Sequence, residues 1–176
     1  DIGDERLNSR YKLLLDSVSK RPSVSIPTAL NGLSETYAAY RFFDNDNVTA
    51  KKILLPHRES TLQRMKSEDV VILAQDTTEI DLTKRGDQVF GSGPLNTERR
   101  FGFFSHVMCA FTPEGLPLGV VSELTWGRDL KKFLANKSET TAKKKKNQKE
   151  SLIEEKESFR WLEGYREACN IASELP

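Results

Sequence analysis

The hydrophobic period changes once along this chain, and that change limits what the chain can fold into. Up to residue 67 apolar side chains recur at helical spacing, whereas Val70-Val71-Ile72-Leu73-Ala74 is an unbroken aliphatic run. A short run of this kind, rich in β-branched residues and ended by polar ones, predicts a strand buried on both faces. The sequence therefore predicts an α+β protein in two parts, residues 1–67 all-α and residues 68–176 the first segment of a mixed sheet with a flanking helix.

Within the first part, Asp4 can cap a helix whose apolar positions Leu7, Tyr11, Leu14 and Val18 share one face until Pro22 ends it. Asn31-Gly32 breaks the chain, and Ser34 is placed to cap a second helix through Tyr37, Tyr40 and Phe43. Asp44-Asn45-Asp46-Asn47 stops that helix by offering side-chain oxygens to the backbone. Thr49 can cap a third helix through Ile53, Leu54, Leu62 and Met65, with Pro56 as a kink.

In the second part, the strand 70–74 ends in Gln75-Asp76-Thr77-Thr78, and the polar, glycine-containing stretch 79–102 reads as a loop or ragged hairpin. Phe103–Phe111, the turn Thr112-Pro113-Glu114-Gly115 and Leu116–Leu124 predict a β-hairpin. Residues 127–151 are highly charged, and the four adjacent lysines 143–146 predict a mobile loop. A last helix is expected over 152–174, with Phe159, Leu162, Tyr165, Cys169 and Ala172 on its apolar face.

Composition excludes several classes. With 27 basic against 26 acidic side chains the net charge is +1, so any nucleic-acid surface must come from local clustering. Cys109 and Cys169 suggest neither a disulfide framework nor a thiolate zinc site. The longest apolar stretch is far short of the ~20 residues that cross a bilayer, and no signal-peptide pattern opens the chain, so a cytoplasmic protein without membrane partners is expected.

Among candidates for chemistry, Asp76 stands out because it would sit where a buried strand leaves the sheet, although an Asp there can equally start a turn. Two-metal phosphodiester chemistry needs several converging carboxylates. Of Asp81, Asp87, Glu114, Asp129, Glu154 and Glu155, Asp129 has the most suitable spacing but falls in the charged loop. His57 and His106 support no nucleophilic triad, and Gly91-Ser92-Gly93-Pro94 lacks the third glycine and the helix of a dinucleotide loop. Tyr40-Arg41-Phe42-Phe43 pairs aromatics with a cation, which suits either a DNA contact or a helix core with a solvated charge.

Taken in order, several segments resemble one family. Ile2-Gly3-Asp4-Glu5-Arg6-Leu7, Ala39-Tyr40-Arg41-Phe42-Phe43-Asp44-Asn45 with Asn47-Val48, Gln75-Asp76-Thr77-Thr78, Thr112 to Gly119, and Glu154 to Ser158 with Trp161 are similar to segments of the DDE transposases of the insertion-sequence-four type, which include the Tn-five enzyme. The resemblance implies an N-terminal domain that binds transposon-end DNA and the first part of a ribonuclease-H-like catalytic domain. Asp76 would be the first of three carboxylates holding Mg²⁺ (or Mn²⁺) for DNA cleavage and strand transfer. The second Asp and the Glu have no counterpart, so this chain alone is expected to be inactive although its intact parent is an enzyme. The resemblance also implies a homodimer on two double-stranded DNA ends in the bacterial cytoplasm, near the nucleoid. The expected DNA contacts are Lys20, Arg21, Tyr40, Arg41, Asn45 and Arg58, with Arg99 and Arg100 nearer the catalytic side. A different class, a non-catalytic DNA-binding or regulatory module, fits the same residues.

Overall fold

The computed structural model describes residues 1–85, 89–138, 152–153 and 156–175. The chain divides into two compact units, Asp1–His57 and Arg58–Pro176.

The first unit contains α1 (Glu5–Lys20), the single turn α2 (Ile26–Ala29), α3 (Leu33–Phe43) and the start of α4 (Ala50–Met65). Asp4 caps α1 as its sequence position predicts, accepting hydrogen bonds from the amides of Arg6 and Leu7 and so satisfying two of the amides a helix start leaves open. The Thr49 hydroxyl likewise accepts from the Lys52 amide at 3.3 Å. Ile2, Leu14, Leu30, Ala39 and Phe42 form the core, with Leu7, Tyr11, Ile26, Val48 and Ile53 packed around them. Tyr11 stacks on Phe42 with ring centroids 6.3 Å apart and donates its hydroxyl to the Ile53 carbonyl at 2.7 Å.

The face that α3 buries differs from the expected one. Thr36, Ala39 and Phe42 point inward, while Tyr37 and Tyr40 are 63% and 50% exposed and Phe43 is exposed as well. Both rows have helical spacing, and periodicity alone cannot choose between rows one residue apart. The small side chains of Thr36 and Ala39 let α3 approach α1 closely, which the tyrosine row would prevent. The helix also begins one residue before the expected cap, at Leu33, with Gly32 at φ 112° as the N-cap.

The second unit is built on an antiparallel sheet of β1 (Ile72–Asp81), β2 (Gly93–Pro94), β3 (Phe101–Phe111) and β4 (Pro117–Trp126). β3 is central and pairs with all three others. The hairpin β3–β4 turns through Gly115 at φ 88°. One face of the sheet packs on the end of α4 and on α6 (Phe159–Glu174) through Met65, Met108, Ala110, Leu118, Val121 and Ile171. Arg58 ties these elements together, donating to the Val121 carbonyl at 3.2 Å and pairing with Glu167 and Glu174.

Four sequence expectations are corrected here. β1 does not stop at Ala74; it runs to Asp81 and its exposure alternates, leaving Ile72 and Ile80 on an open face instead of burying both sides. The stretch 79–102 is not all loop, because it holds the end of β1, a 3₁₀ turn at Thr83–Arg85, β2 and the start of β3. A helix, α5 (Leu130–Ser138), occupies part of the expected loop 127–151, started by Asp129, whose carboxylate accepts from the Lys132 amide at 2.8 Å. The last helix begins at Phe159, later than expected. Lysines 143–146 lie outside the described residues, as do Asp87, Glu154 and Glu155.

Two glycines mark places where backbone meets backbone. A Cβ on Gly93 would lie 1.9 Å from the Arg128 carbonyl oxygen, and one on Gly127 would lie 2.0 Å from that of Gly91. Arg128 reinforces this junction by stacking 4.1 Å over the Phe104 ring and pairing with Glu157.

The burial of α3 is open to direct test. Phe42→Ala should cost about 3–5 kcal/mol in denaturant unfolding, as truncation of a buried aromatic does, whereas Tyr37→Ala should stay within roughly 0.5 kcal/mol. Equal costs would mean that the wrong face has been assigned to the core.

Candidate nucleic-acid interface

The expected DNA contacts fall into groups with different freedom. Tyr40 and Arg41 lie on the exposed side of α3 and, with Tyr37, Phe43 and Asp44, line a shallow open depression of about 810 Å³. Lys20 ends α1 and pairs with Asp16 at 2.7 Å while staying exposed. Arg21 donates to the Ala29 carbonyl at 2.8 Å and so helps fix the turn between α1 and α2. Asn45 accepts from the Asn47 amide at 2.9 Å, closing the turn after α3.

In the second unit most of the described arginines are engaged. The Arg58 guanidinium is held by a carbonyl and two carboxylates, as described above. Arg100 pairs with Glu79 at 3.0 Å and with Asp81 at 2.9 Å. Hydrogen bonds from the Thr83 side chain and amide, then from Arg100, hold the Asp81 carboxyl down at about 2. Arg100 thus fastens the end of β1 to the start of β3, and the neighbouring Arg99 is exposed.

Asp76 occupies the middle of β1, opposite Val107 of β3, instead of the strand end that the sequence suggested. It is exposed on the sheet face away from α6 and accepts from the Thr77 amide at 2.7 Å. Glu123 of β4 is paired with the same Val107 and accepts from the Ser105 hydroxyl at 3.2 Å. Among the described residues no group of three or more His, Cys, Asp or Glu could hold a metal ion, so these residues do not by themselves make the Mg²⁺ site that the sequence resemblance implies. Asp129, the other carboxylate considered, serves as the cap of α5.

On the opposite face lies a polar cluster that the sequence did not reveal. His106 is buried, with Nδ1 2.7 Å from the Thr77 hydroxyl and Nε2 3.0 Å from Gln75 Oε1. The Gln75 amide nitrogen donates to the Trp161 carbonyl at 3.3 Å, which leaves its oxygen to accept. Nε2 therefore carries the proton and Nδ1 accepts from Thr77, a neutral imidazole with both nitrogens satisfied. Trp161 packs edge-on against the ring at 5.2 Å. A Cβ on Gly164 would sit 1.8 Å from Gln75 Oε1, so only glycine admits this arrangement without displacing Gln75. The hint available in the sequence was one of spacing: Gln75 and Thr77 alternate with Asp76, and one inward histidine faces them.

Residues 1–48 match the family model for transposase DNA-binding domains. The match covers α1, α2 and α3 and stops before α4. It supports a transposase reading of the helical unit and DNA as its partner. A search of curated proteins finds no match to the chain. Among the described residues no helix is long and apolar enough to cross a membrane.

The buried His106 has a consequence in pH. Burial pushes its pKa below 6.5, opposed by Asp76 and Glu163 and assisted by Arg160. A depressed folded-state pKa means that the contribution to stability is complete above the unfolded value and is lost as pH falls through the folded one. Thermal unfolding midpoints should therefore decline from about pH 7 towards 5, and His106→Gln should flatten that decline. An unchanged slope in the variant would place the titrating group elsewhere.

Proposed function

We propose that this chain acts in cut-and-paste DNA transposition, with its helical unit binding double-stranded transposon-end DNA. The observation that carries this reading is the coincidence of two things in residues 1–48: the transposase DNA-binding match and an exposed Tyr40-Arg41 pair on a helix whose other side is core. Arg41 supplies the phosphate contact, and Lys20 extends the basic surface at the end of α1. Arg21 and Asn45 shape the turns beside them and reach DNA only with the groups their local bonds leave open. Arg58 and Arg100 are held by carboxylates and contribute little, while Arg99 remains available.

The finer reading is a DDE transposase of the insertion-sequence-four, Tn-five-like type, in which a ribonuclease-H-like domain cleaves DNA and transfers strands. Its support is the run of resembling segments and the exposure of Asp76 on a sheet face. In the intact enzyme Asp76 would be one ligand of Mg²⁺ or Mn²⁺. No step is assigned to that metal, because the described residues do not complete its ligand set. Two copies on two DNA ends, in the bacterial cytoplasm close to the nucleoid, complete this proposal.

A second reading, a non-catalytic DNA-binding or regulatory module, is favoured by one observation: among the described residues Asp76 belongs to no group of three or more metal-ligating side chains. Both readings expect the chain alone to leave supercoiled plasmid uncut with Mg²⁺ or Mn²⁺, so they separate in a protein that also carries the other two carboxylates. Metal-dependent nicking there that is lost in Asp76→Ala supports the catalytic reading, and its absence together with DNA binding supports the module; nicking by the chain alone would overturn the incomplete ligand set.

Binding itself is tested by salt. Each phosphate neutralised releases condensed counterion, so affinity for duplex should fall steeply as salt rises, and Arg41→Ala should reduce the slope of log affinity on log salt by about one. Asp76→Ala should leave affinity unchanged. A chain that binds no duplex at low salt would overturn the proposal.

A further inference from the structure

The outer face of α3 is more apolar than a phosphate-binding surface needs to be. Leu33, Tyr37, Tyr40 and Arg41 follow one another at helical spacings along this face, opposite the inward row of Thr36, Ala39 and Phe42. Leu33, in the first turn of the helix, is 75% exposed. Arg41 is the one cation of the stripe, and the other charged residue of α3, Glu35, is paired with Arg10. The unit as a whole offers little general attraction for DNA, with eight basic against seven acidic side chains in residues 1–57.

We propose that the stripe Leu33–Tyr37–Tyr40 enters the major groove and reads thymine by contact with its C5-methyl group, with Arg41 on the flanking phosphate. This rests on the DNA-binding reading above and states what that helix recognises. The major groove is wide enough for an α-helix, and the base edges there show hydrogen-bond donors, acceptors and one apolar group, the thymine methyl. Leu33 has no polar atom, and the tyrosine rings present apolar faces, so the methyl is the group they complement. Orientation follows from charge. The N-terminal end of α3 carries the positive end of the helix dipole, whereas Asp44 closes the other end with a carboxylate that repels phosphate. Leu33 and Tyr37 therefore lead into the groove.

The test uses the full chain and a duplex library with a random core. Sequences enriched by the chain should contain runs of thymine on one strand. Replacing those thymines with uracil, which removes only the methyl, should weaken binding about fourfold per contact, the size expected from roughly 0.8 kcal/mol per buried methyl-sized group. Leu33→Ala and Tyr37→Ala should bind the thymine duplex more weakly and lose the uracil penalty at their own contacts, with the salt slope unchanged. Arg41→Ala should keep the penalty and lose slope. Both apolar positions are exposed, so unchanged unfolding midpoints check that the variants fold. Tight, sequence-selective binding with no uracil penalty would overturn this inference and leave DNA binding standing. Failure to bind any duplex would overturn the DNA-binding reading and this inference with it.

Discussion

The ladder of β3 is the constraint on which the second unit depends. Because β1, β2 and β4 all pair with it, its pleat decides which side of the sheet each of their residues faces. His106, Met108 and Ala110 face the helices, so Val107 and Cys109 face away. Through the register, Thr77 and Gln75 are drawn in with His106, and Asp76 is turned out with Val107. A slip of β1 by one residue would bury the carboxylate and turn Gln75 and Thr77 away from the histidine. The filled inner face makes that shift costly, since Met108, Ala110 and Val121 already pack against Met65 and Ile171.

Much of this was legible in the sequence, and the unread parts have identifiable causes. Asp4 and Thr49 act locally, through side-chain oxygens a few residues from the amides they cap, so their roles could be read directly. The hairpin around Thr112–Gly115 was legible for the same reason. The inward face of α3 was not, because Thr36-Ala39-Phe42 and Tyr37-Tyr40-Phe43 have equivalent spacing and only contact with α1 distinguishes them. The length of β1 was missed because Asp76, Thr77 and Thr78 look like a turn until β3 is present to pair with them. The His106 cluster joins residues from two strands and a distant helix, and no local pattern announces such a meeting.

The two units pose different recognition problems. In the helical unit Phe42 alone of the α3 aromatics enters the core, which leaves Tyr37, Tyr40 and Phe43 on the surface. In the sheet unit the arginines are mostly bound to carboxylates and carbonyls, and they stabilise strand ends and helix junctions. Basic residues of similar appearance in the sequence are thus left exposed in one place, as Arg41 is, and serve as internal ties in another, as Arg58 and Arg100 do.

The close approaches at Gly93 and Gly127 carry a different lesson. The two stretches that contain them, one before β3 and one after β4, look like filler, polar and without period, and a tally of hydrophobic residues would rank them among the most replaceable parts of the chain. Yet their paths are set by side chains that are missing, and any atom added at either position must push one stretch of backbone off another. Freedom to vary here runs opposite to appearance: these two positions should tolerate substitution far less than their polar surroundings suggest.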